Sequence, residues 1–532
     1  MGRNREIARA AGVIAGGTLF SRLLGYLRDV IIASLFGAGP ATDAFIAAAR
    51  IPNYLRRLFG EGTLNASFVP VFTDYLERQS KEQAWELARV VITILSFLLF
   101  LFVIFGMIFA PQVVRLIAPG FVPNPGTFSL TVLLTRVTFP FALFVGLSAS
   151  FMGILNSLKH FASPAIAPAL LNIMMILCAL TLTPHLSVPV LSLSIGMLLG
   201  GFCQLLLQIP FLIRKGFRFF VRFDWNHPGM LRVFRLMVPG IIGQSVLQIN
   251  IIVGNILASF LPAGSISYLF FADRLVQFPL GVFGISAATA ILPTLSAHAA
   301  EKKIPDMVEA LSRTMRMVLF LMIPSMIGLI SLRVPITSAL FQRGSFQYSA
   351  TVSTASALMY YSFGLWAFAE VRVVAQTFYA LQDTWTPMKI GVLAVLINIL
   401  FSLVLMGPLK HNGLALANSL ASVLNVGALV WILRTRIGPL QGRRFFRSFL
   451  KILLASLVMG VCAYYGAGVA FWDLPGHPLT KFLHLGRGLL FGVLSYLLMC
   501  WILRVEEFRS VRMWFVKKGG LDGGEEKKTT AK

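Results

Sequence analysis

The sequence predicts an all-α polytopic membrane protein: about 14 transmembrane helices, two parallel six-helix lobes around a central cavity, and two C-terminal helices. Three observations predict it. The 532 residues are 57% hydrophobic and 13% charged, against about 45–50% apolar and about 25% charged in soluble domains. Apolar runs long enough to span a bilayer recur from end to end. Lysine and arginine collect in every second connection between those runs.

A hydrocarbon core of about 30 Å takes roughly 20 apolar residues per helix. The runs that meet this length are 10–36, 43–70, 86–110, 128–155, 163–183, 188–213, 234–261, 268–296, 312–332, 350–380, 387–407, 413–434, 447–470 and 484–504. The first follows Arg3, Arg5 and Arg9 with no short apolar core and small-residue cleavage site, so it reads as a retained helix and not a cleaved signal. With the N-terminus inside, the inner connections before the tail hold 22 Lys/Arg and the outer ones 5. The inner set includes Arg78, Lys81, Arg89, Lys159, the cluster from Arg214 to Arg235, Lys302 to Arg316, and Arg434 to Arg447. The outer set is Arg115, Arg333, Arg343, Lys410 and Lys481. Positive charge retains a loop in the cytoplasm during insertion, so the alternation supports both the count and cytoplasmic termini. The net charge of +25 therefore has a topological explanation and does not imply nucleic acid. Cys178, Cys203, Cys462 and Cys500 all lie in apolar runs and read as small buried hydrophobes, with no disulfide framework and no metal site.

The halves repeat. GEGTLNASFVPVF resembles GISAATAILPTLS, and ILNSLKHFASPAIAP resembles TFYALQDTWTPMKIG; Pro70 and Pro293, like Pro164 and Pro387, stand 223 apart. The shift spans six helices, an even number, so the lobes share one orientation about an axis along the membrane normal. The expected organisation is an N-lobe over 1–225, a C-lobe over 226–438, helices 13 and 14 over 439–505 and a basic cytoplasmic tail over 506–532, near anionic head groups. Two parallel lobes are a transporter plan.

Ionisable side chains inside a bilayer are costly and by default functional. Helix 1 carries Arg22, Arg28 and Asp29. Helix 2 carries Asp43, Arg50, Arg56, Arg57 and Glu61. Helix 8 carries Asp273 and Arg274, and helix 10 carries Glu370 and Arg372. At about 100° per residue, Arg22 and Asp29 share a stripe, as do Asp43, Arg50 and Arg57. Internal pairing, such as Arg57 with Glu61 one turn on, can absorb some of these charges. Seven arginines against five acids still leave a cationic surplus. A guanidinium stays charged when partly desolvated, and its planar fork matches phosphate oxygens. Glycines 12, 16, 17 and 25 would let helix 1 pack closely or bend.

SRLLGYLRDVIIASLFGAGPATDAF and IPNYLRRLFGEGTLNASFVPVF resemble the N-terminal signature of the MurJ (MviN) lipid II flippase family of the MOP exporter superfamily. FADRLVQFPLGVFG and GPLKHNGLALANSL resemble the family as well. The resemblance implies alternating access that moves undecaprenyl-pyrophosphate-linked disaccharide-pentapeptide, lipid II, across the bacterial cytoplasmic membrane for cell wall synthesis. It implies a groove on helices 13 and 14 for the lipid tail, and partners in the wall-building machinery. It makes Arg22, Arg28, Arg56 and Arg274 the essential cavity arginines, with Asp43 near the outer end of helix 2. Asp29, Arg57, Glu61 and Arg372 complete the expected substrate-binding set. The sodium site described for some members uses acids on helices 7 and 11. Here those helices offer Asn250, Asn398 and Ser402 and no carboxylate, so the resemblance carries no metal over.

A cation exporter of the same architecture would place acids, not arginines, in its cavity. A flippase for lipid-linked polysaccharide differs only in the helix 1 and 2 signature. An enzyme acting on polyprenyl phosphates needs a metal-binding acidic cluster or a placed general base. The seven histidines lie in loops or at helix ends without HxxxH spacing, and no Walker A sequence occurs. The expectation is a transporter without a cofactor.

Overall fold

Among the described residues, ten helical stretches are long and apolar enough to cross a membrane. The computed structural model describes residues 2–60, 63–468, 471–474 and 476–509. Glu61 and residues 510–532, most of the expected basic tail, lie outside the described residues. The regular structure among the described residues is helical, with no strand.

The first span is α1 (Gly2–Phe36), ended by Gly37, whose φ of +64° favours glycine. The second is broken into α2 (Pro40–Ala48), α3 (Arg50–Gly60) and α4 (Thr63–Arg78). Next comes α5 (Lys81–Ile108), capped by the Ser80 side chain, which accepts from the Gln83 N–H at 3.2 Å. A short α6 (Ala110–Ile117) turns the chain into the fourth span, α7 (Pro125–Thr138) and α8 (Phe141–Ser157). Then follow α9 (Ala162–Leu182), α10 (Leu191–Arg214) and α11 (Pro228–Ser259). The eighth span is α12 (Ser265–Pro279), a π-turn over Leu280–Gly284 and α13 (Ile285–Ala300). After α14 (Ile304–Ser331) and the short α15 (Arg333–Phe341), the tenth span breaks at Phe363–Gly364 into α16 (Tyr348–Ser362) and α17 (Leu365–Ala380). The chain ends in α18 (Trp385–Leu409), α19 (His411–Ile437), α20 (Gly442–Ala467) and α21 (Pro478–Ile502).

The repeat seen in the prolines extends to the joints. The ends of α1, α5, α8 and α10 recur 223 residues later as the ends of α11, α14, α17 and α19. The starts of α5 and α9 recur as those of α14 and α18. Even the turn residues match: Lys159 and Gln382, again 223 apart, both take left-handed φ, +58° and +60°. Beside Gln382, Asp383 accepts from the Thr386 hydroxyl and amide at the start of α18 and from Arg436 of α19. The Thr386 hydroxyl is the main cause, with Arg436 adding to it, of a carboxyl pulled down to about 2.

The chain divides into two compact units, Met1–Ser267 with Arg343–Phe346, and Tyr268–Gln342 with Gln347–Lys532. In the first, Phe68, Phe72, Leu87, Ile94, Ile154 and Leu212 form a core joining α4, α5, α8 and α10. The seventh span, α11, packs into the same unit: Asn255 donates to Ile117 O at 2.9 Å, and the Gly120 N–H donates to the Ser259 hydroxyl at 3.0 Å. The segment 343–346 joins it where the Ser345 N–H donates to Ser34 O at 2.7 Å.

In the second unit α20 and α21 form a hairpin on α14. Leu319, Ile323, Ile452, Ala455 and Cys500 pack together, and Tyr496 donates to Phe320 O at 2.7 Å. An ionic cluster closes one end. Arg316 of α14, 4% exposed, reaches Glu506 at 2.8 Å and the equally buried Glu507 at 3.0 Å, while Arg444 of α20 also meets Glu506. Lys451 donates to Leu503 O at 2.8 Å, capping the C-terminus of α21. At the other end Lys481, 2% exposed, donates to Ser338 of α15 at 2.9 Å. The four cysteines are free thiols.

Candidate functional site

The first unit holds most of the charged set, and its geometry starts from the close packing of α1 on α9. A Cβ on Gly17 would come within 2.8 Å of Ala165 O, so only glycine admits this approach. Gly12 and Gly16 have open space instead. The packing brings Asn172 of α9 under Arg28. The Arg28 Nε and Nη2 both donate to Asp29 Oδ1, at 3.0 and 2.7 Å, and Nη1 donates to Asn172 Oδ1 at 3.0 Å. Asn172 in turn donates to Ser21 O at 3.0 Å, which fixes its amide. Asp29 is buried and the Arg28 side chain is 13% exposed. The guanidinium is therefore desolvated, charge-compensated and held in one plane.

Arg22, on the same helix, is exposed and has no carboxylate partner among the described residues. On the second span Arg50 donates to Asn255 of α11 at 3.2 Å, and Arg56 Nε lies 3.5 Å from Asn53 Oδ1 one turn back. Arg57 is exposed and likewise unpaired among the described residues. The Arg57–Glu61 pairing falls outside the described residues.

Asp43 is 2% exposed. Its Oδ1 accepts from the Ser267 N–H at 2.8 Å and hydroxyl at 2.6 Å, and its Oδ2 accepts from the Gly264 N–H at 2.6 Å. It thus caps the first turn of α12 from a distant part of the chain, satisfying amides that a helix start leaves open. Asp43→Asn would turn an NH2 group toward one of these donors. The expected cost is about 1–3 kcal/mol, read as a lower unfolding temperature and faster amide exchange at Gly264 and Ser267.

In the second unit α12 carries Asp273, which accepts from Gln277 at 3.4 Å, and Arg274, whose guanidinium stacks 5.0 Å from the Phe270 ring centre. The π-turn follows directly; such turns cluster at functional sites. It packs on α17, where a Cβ on Gly284 would come 3.0 Å from Ala369 Cβ. Next to Ala369, Glu370 is fully buried, and both its oxygens lack a hydrogen-bond partner among the described residues. Arg372 is exposed. Nothing in the helical spacing of the sequence pointed to Asn172 or Asn255, which position Arg28 and Arg50. Their signal was an amide inside an apolar run, which needs a partner.

A family profile described as lipid II flippase MurJ matches residues 32–482. The probable lipid II flippase MurJ of Vibrio cholerae is 39% identical over 433 residues, 80% of this chain and 82% of its own. That of Haemophilus influenzae is 37% identical over 465 residues, 84% and 90% of the two chains. Among solved structures, lipid II flippase MurJ in an inward closed conformation aligns with a TM-score of 0.76 at 29% identity, over 92% of this chain and 98% of that one. An inward-facing MATE multidrug transporter of the MOP superfamily aligns at 0.67 with 15% identity, over 79% and 96%, a likeness of fold.

Proposed function

The chain belongs to the MurJ lipid II flippase family, and from that premise we propose that it carries lipid II from the inner to the outer leaflet with arginine as the group that takes the pyrophosphate. It is a transporter, not an enzyme, and a multi-pass protein of the bacterial cytoplasmic membrane. Both termini face the cytoplasm. The lobes follow the repeat, 1–225 and 226–438, with 439–505 as the tail groove and 506–532 as a basic tail.

The observation that supports this reading most is the arginine surplus of α1 and α3. Asp29 holds Arg28 in position, while Arg22 and Arg57 are exposed with no carboxylate among the described residues. Exposed guanidinium groups in spans that cross a bilayer need an anion, and a diphosphate offers oxygens in the geometry that the fork takes. Arg56, Arg274 and Arg372 complete the cationic set. Asp29 fixes the Arg28 plane and Asp43 caps the start of α12, and the family resemblance adds Glu61 to the set. A negative-inside potential favours outward movement of negative charge by about 2.3 kcal/mol per charge per 100 mV, less whatever the arginines carry with them.

The test is fluorescence-reported movement of chemically unchanged lipid II in vesicles holding the purified chain, with the potential imposed in either direction. Arg22→Ala and Arg57→Ala should each slow transport while leaving unfolding unchanged within about 0.5 kcal/mol, the ordinary range for exposed positions. Wild-type protein that moves no lipid II, or variants that move it at full rate, would refute the assignment.

A further inference from the structure

Between α10 and α11 the chain runs without regular structure over 217–224. Physically it is not a free loop, because it lies lengthwise on α5. Phe217 meets Trp85 with ring centres 5.3 Å apart. Arg89 donates to Arg218 O at 3.1 Å, and its guanidinium stacks 5.7 Å from the Phe220 ring centre. The Arg222 N–H donates to the Thr93 hydroxyl at 3.1 Å, and its side chain pairs with Glu86 at 2.6 Å. Phe223 meets Phe97 edge-on at 5.6 Å. The contacts advance along α5 from residue 85 to residue 97, about 18 Å at 1.5 Å per residue. The chain then comes back at once, since Gly229 at the start of α11 lies against Leu87 and Tyr75.

The segment is therefore a wedge that follows a membrane span toward the apolar core and returns. Its outer side is apolar: Phe220, Val221 and Phe223 are 65%, 80% and 53% exposed, with Trp225 beside them at 47%. Cations surround it. Arg222 and Arg232 are neutralised by Glu86 and Asp74. Arg214, Lys215, Arg218 and Arg235 have no carboxylate partner among the described residues. Aromatic side chains beside unneutralised cations, tethered on both flanks to spanning helices, match one environment, the headgroup layer of a bilayer that carries negative charge.

We infer that residues 214–235 form a docking surface for anionic phospholipid, with Phe220, Val221 and Phe223 in the acyl region and Arg214, Lys215, Arg218 and Arg235 on the phosphates. The leaflet is the cytoplasmic one under the orientation proposed above. The surface is distinct from the arginines of α1 and α3, and the inference stands whatever substrate those bind.

The experiment uses the full chain in nanodiscs of zwitterionic lipid with or without phosphatidylglycerol. An environment-sensitive fluorophore on Val221→Cys, with the native cysteines replaced, should emit at apolar wavelengths and be quenched by brominated acyl chains. Native mass spectrometry or spin-labelled lipid should show phosphatidylglycerol retained over phosphatidylcholine. Arg214→Gln, Lys215→Gln, Arg218→Gln and Arg235→Gln should each lower that preference about fivefold at low salt, from roughly 1 kcal/mol per charge. Added salt should shrink the difference. If Arg214→Gln or Arg218→Gln fails to fold, Lys215→Gln and Arg235→Gln alone still carry the test. A water-exposed signal at position 221 in nanodiscs that hold no other protein would overturn the inference and point to a protein partner instead. An anionic preference unchanged in folded charge variants would overturn it too.

Discussion

Arg28→Ala is expected to reduce lipid II translocation by about a hundredfold or more, the scale on which misplaced contact groups cost a reaction its geometry. The guanidinium is the charged group whose plane is fixed on two sides, by Asp29 and by Asn172. Removing it also takes the 2.7 Å ion pair from the buried Asp29 carboxylate, so the single variant will lose stability along with transport. Arg28→Ala combined with Asp29→Asn separates the two effects. It should recover much of the unfolding temperature and none of the transport. Arg28→Lys should rescue poorly, because one ammonium group cannot span Asp29 and Asn172 while keeping a face for phosphate. Asn172→Ala keeps the charge and frees the plane; a fall of about tenfold is expected from one lost hydrogen bond to a charged group. Full transport in Arg28→Ala and Asn172→Ala alike would remove this residue from the mechanism.

The largest stability effect should come from Arg316→Ala. Arg316 is 4% exposed and bridges Glu506 and Glu507, and Glu507 is just as buried. Without the arginine, the hydrogen bond left to Glu507 among the described residues is the one the Ser448 hydroxyl donates, at 3.1 Å. Breaking one side of a buried pair costs about 3–5 kcal/mol, measured as a shift in the unfolding midpoint of detergent-solubilised protein. Adding Glu507→Gln should return part of the loss. A midpoint unchanged in Arg316→Ala would mean the cluster holds nothing. Acid should act in the same direction. Arg444 first, and Arg316 after it, hold the Glu506 carboxyl below the ordinary glutamate range. A carboxyl lowered on folding stabilises the fold above its unfolded pKa of about 4.3 and loses that contribution as the pH falls through its folded value. The contribution is small, since the Glu506 side chain is half exposed.

Apolar length and loop charge were sufficient to read the spans from the sequence, because both are summed over many residues. The breaks were not readable in this way. The interruptions between α2, α3 and α4 and the π-turn at Leu280–Gly284 depend on packing partners far along the chain. Arg316 reads in the sequence as one charge of an inner connection; in the structure α14 begins at Ile304 and carries it within one continuous helix. Glu506 and Glu507 follow the last span with nothing in the sequence to mark a partner; in the structure they bind Arg316. Among the expected site residues, the types and spans were visible in the sequence and the partners were not. Asp43 bonds to backbone amides, which no residue pattern reveals. Asn172 and Asn255 are neutral and isolated in apolar runs, and a count of charges passes over them.

The interval of 223 residues has an evolutionary corollary. Joints that recur at one spacing, while the side chains around them differ, are the mark of an ancestral segment doubled in tandem. The copies then diverged in chemistry more than in skeleton. The counterparts of Arg22, Arg28, Arg50, Arg56 and Arg57 are Ser245, Ile251, Asp273, Pro279 and Leu280, none of them basic. The second duplicate has basic residues of its own, since Arg274 and Arg372 stand opposite Ile51 and Ala149, so each duplicate gained its cations separately on a frame that both still share.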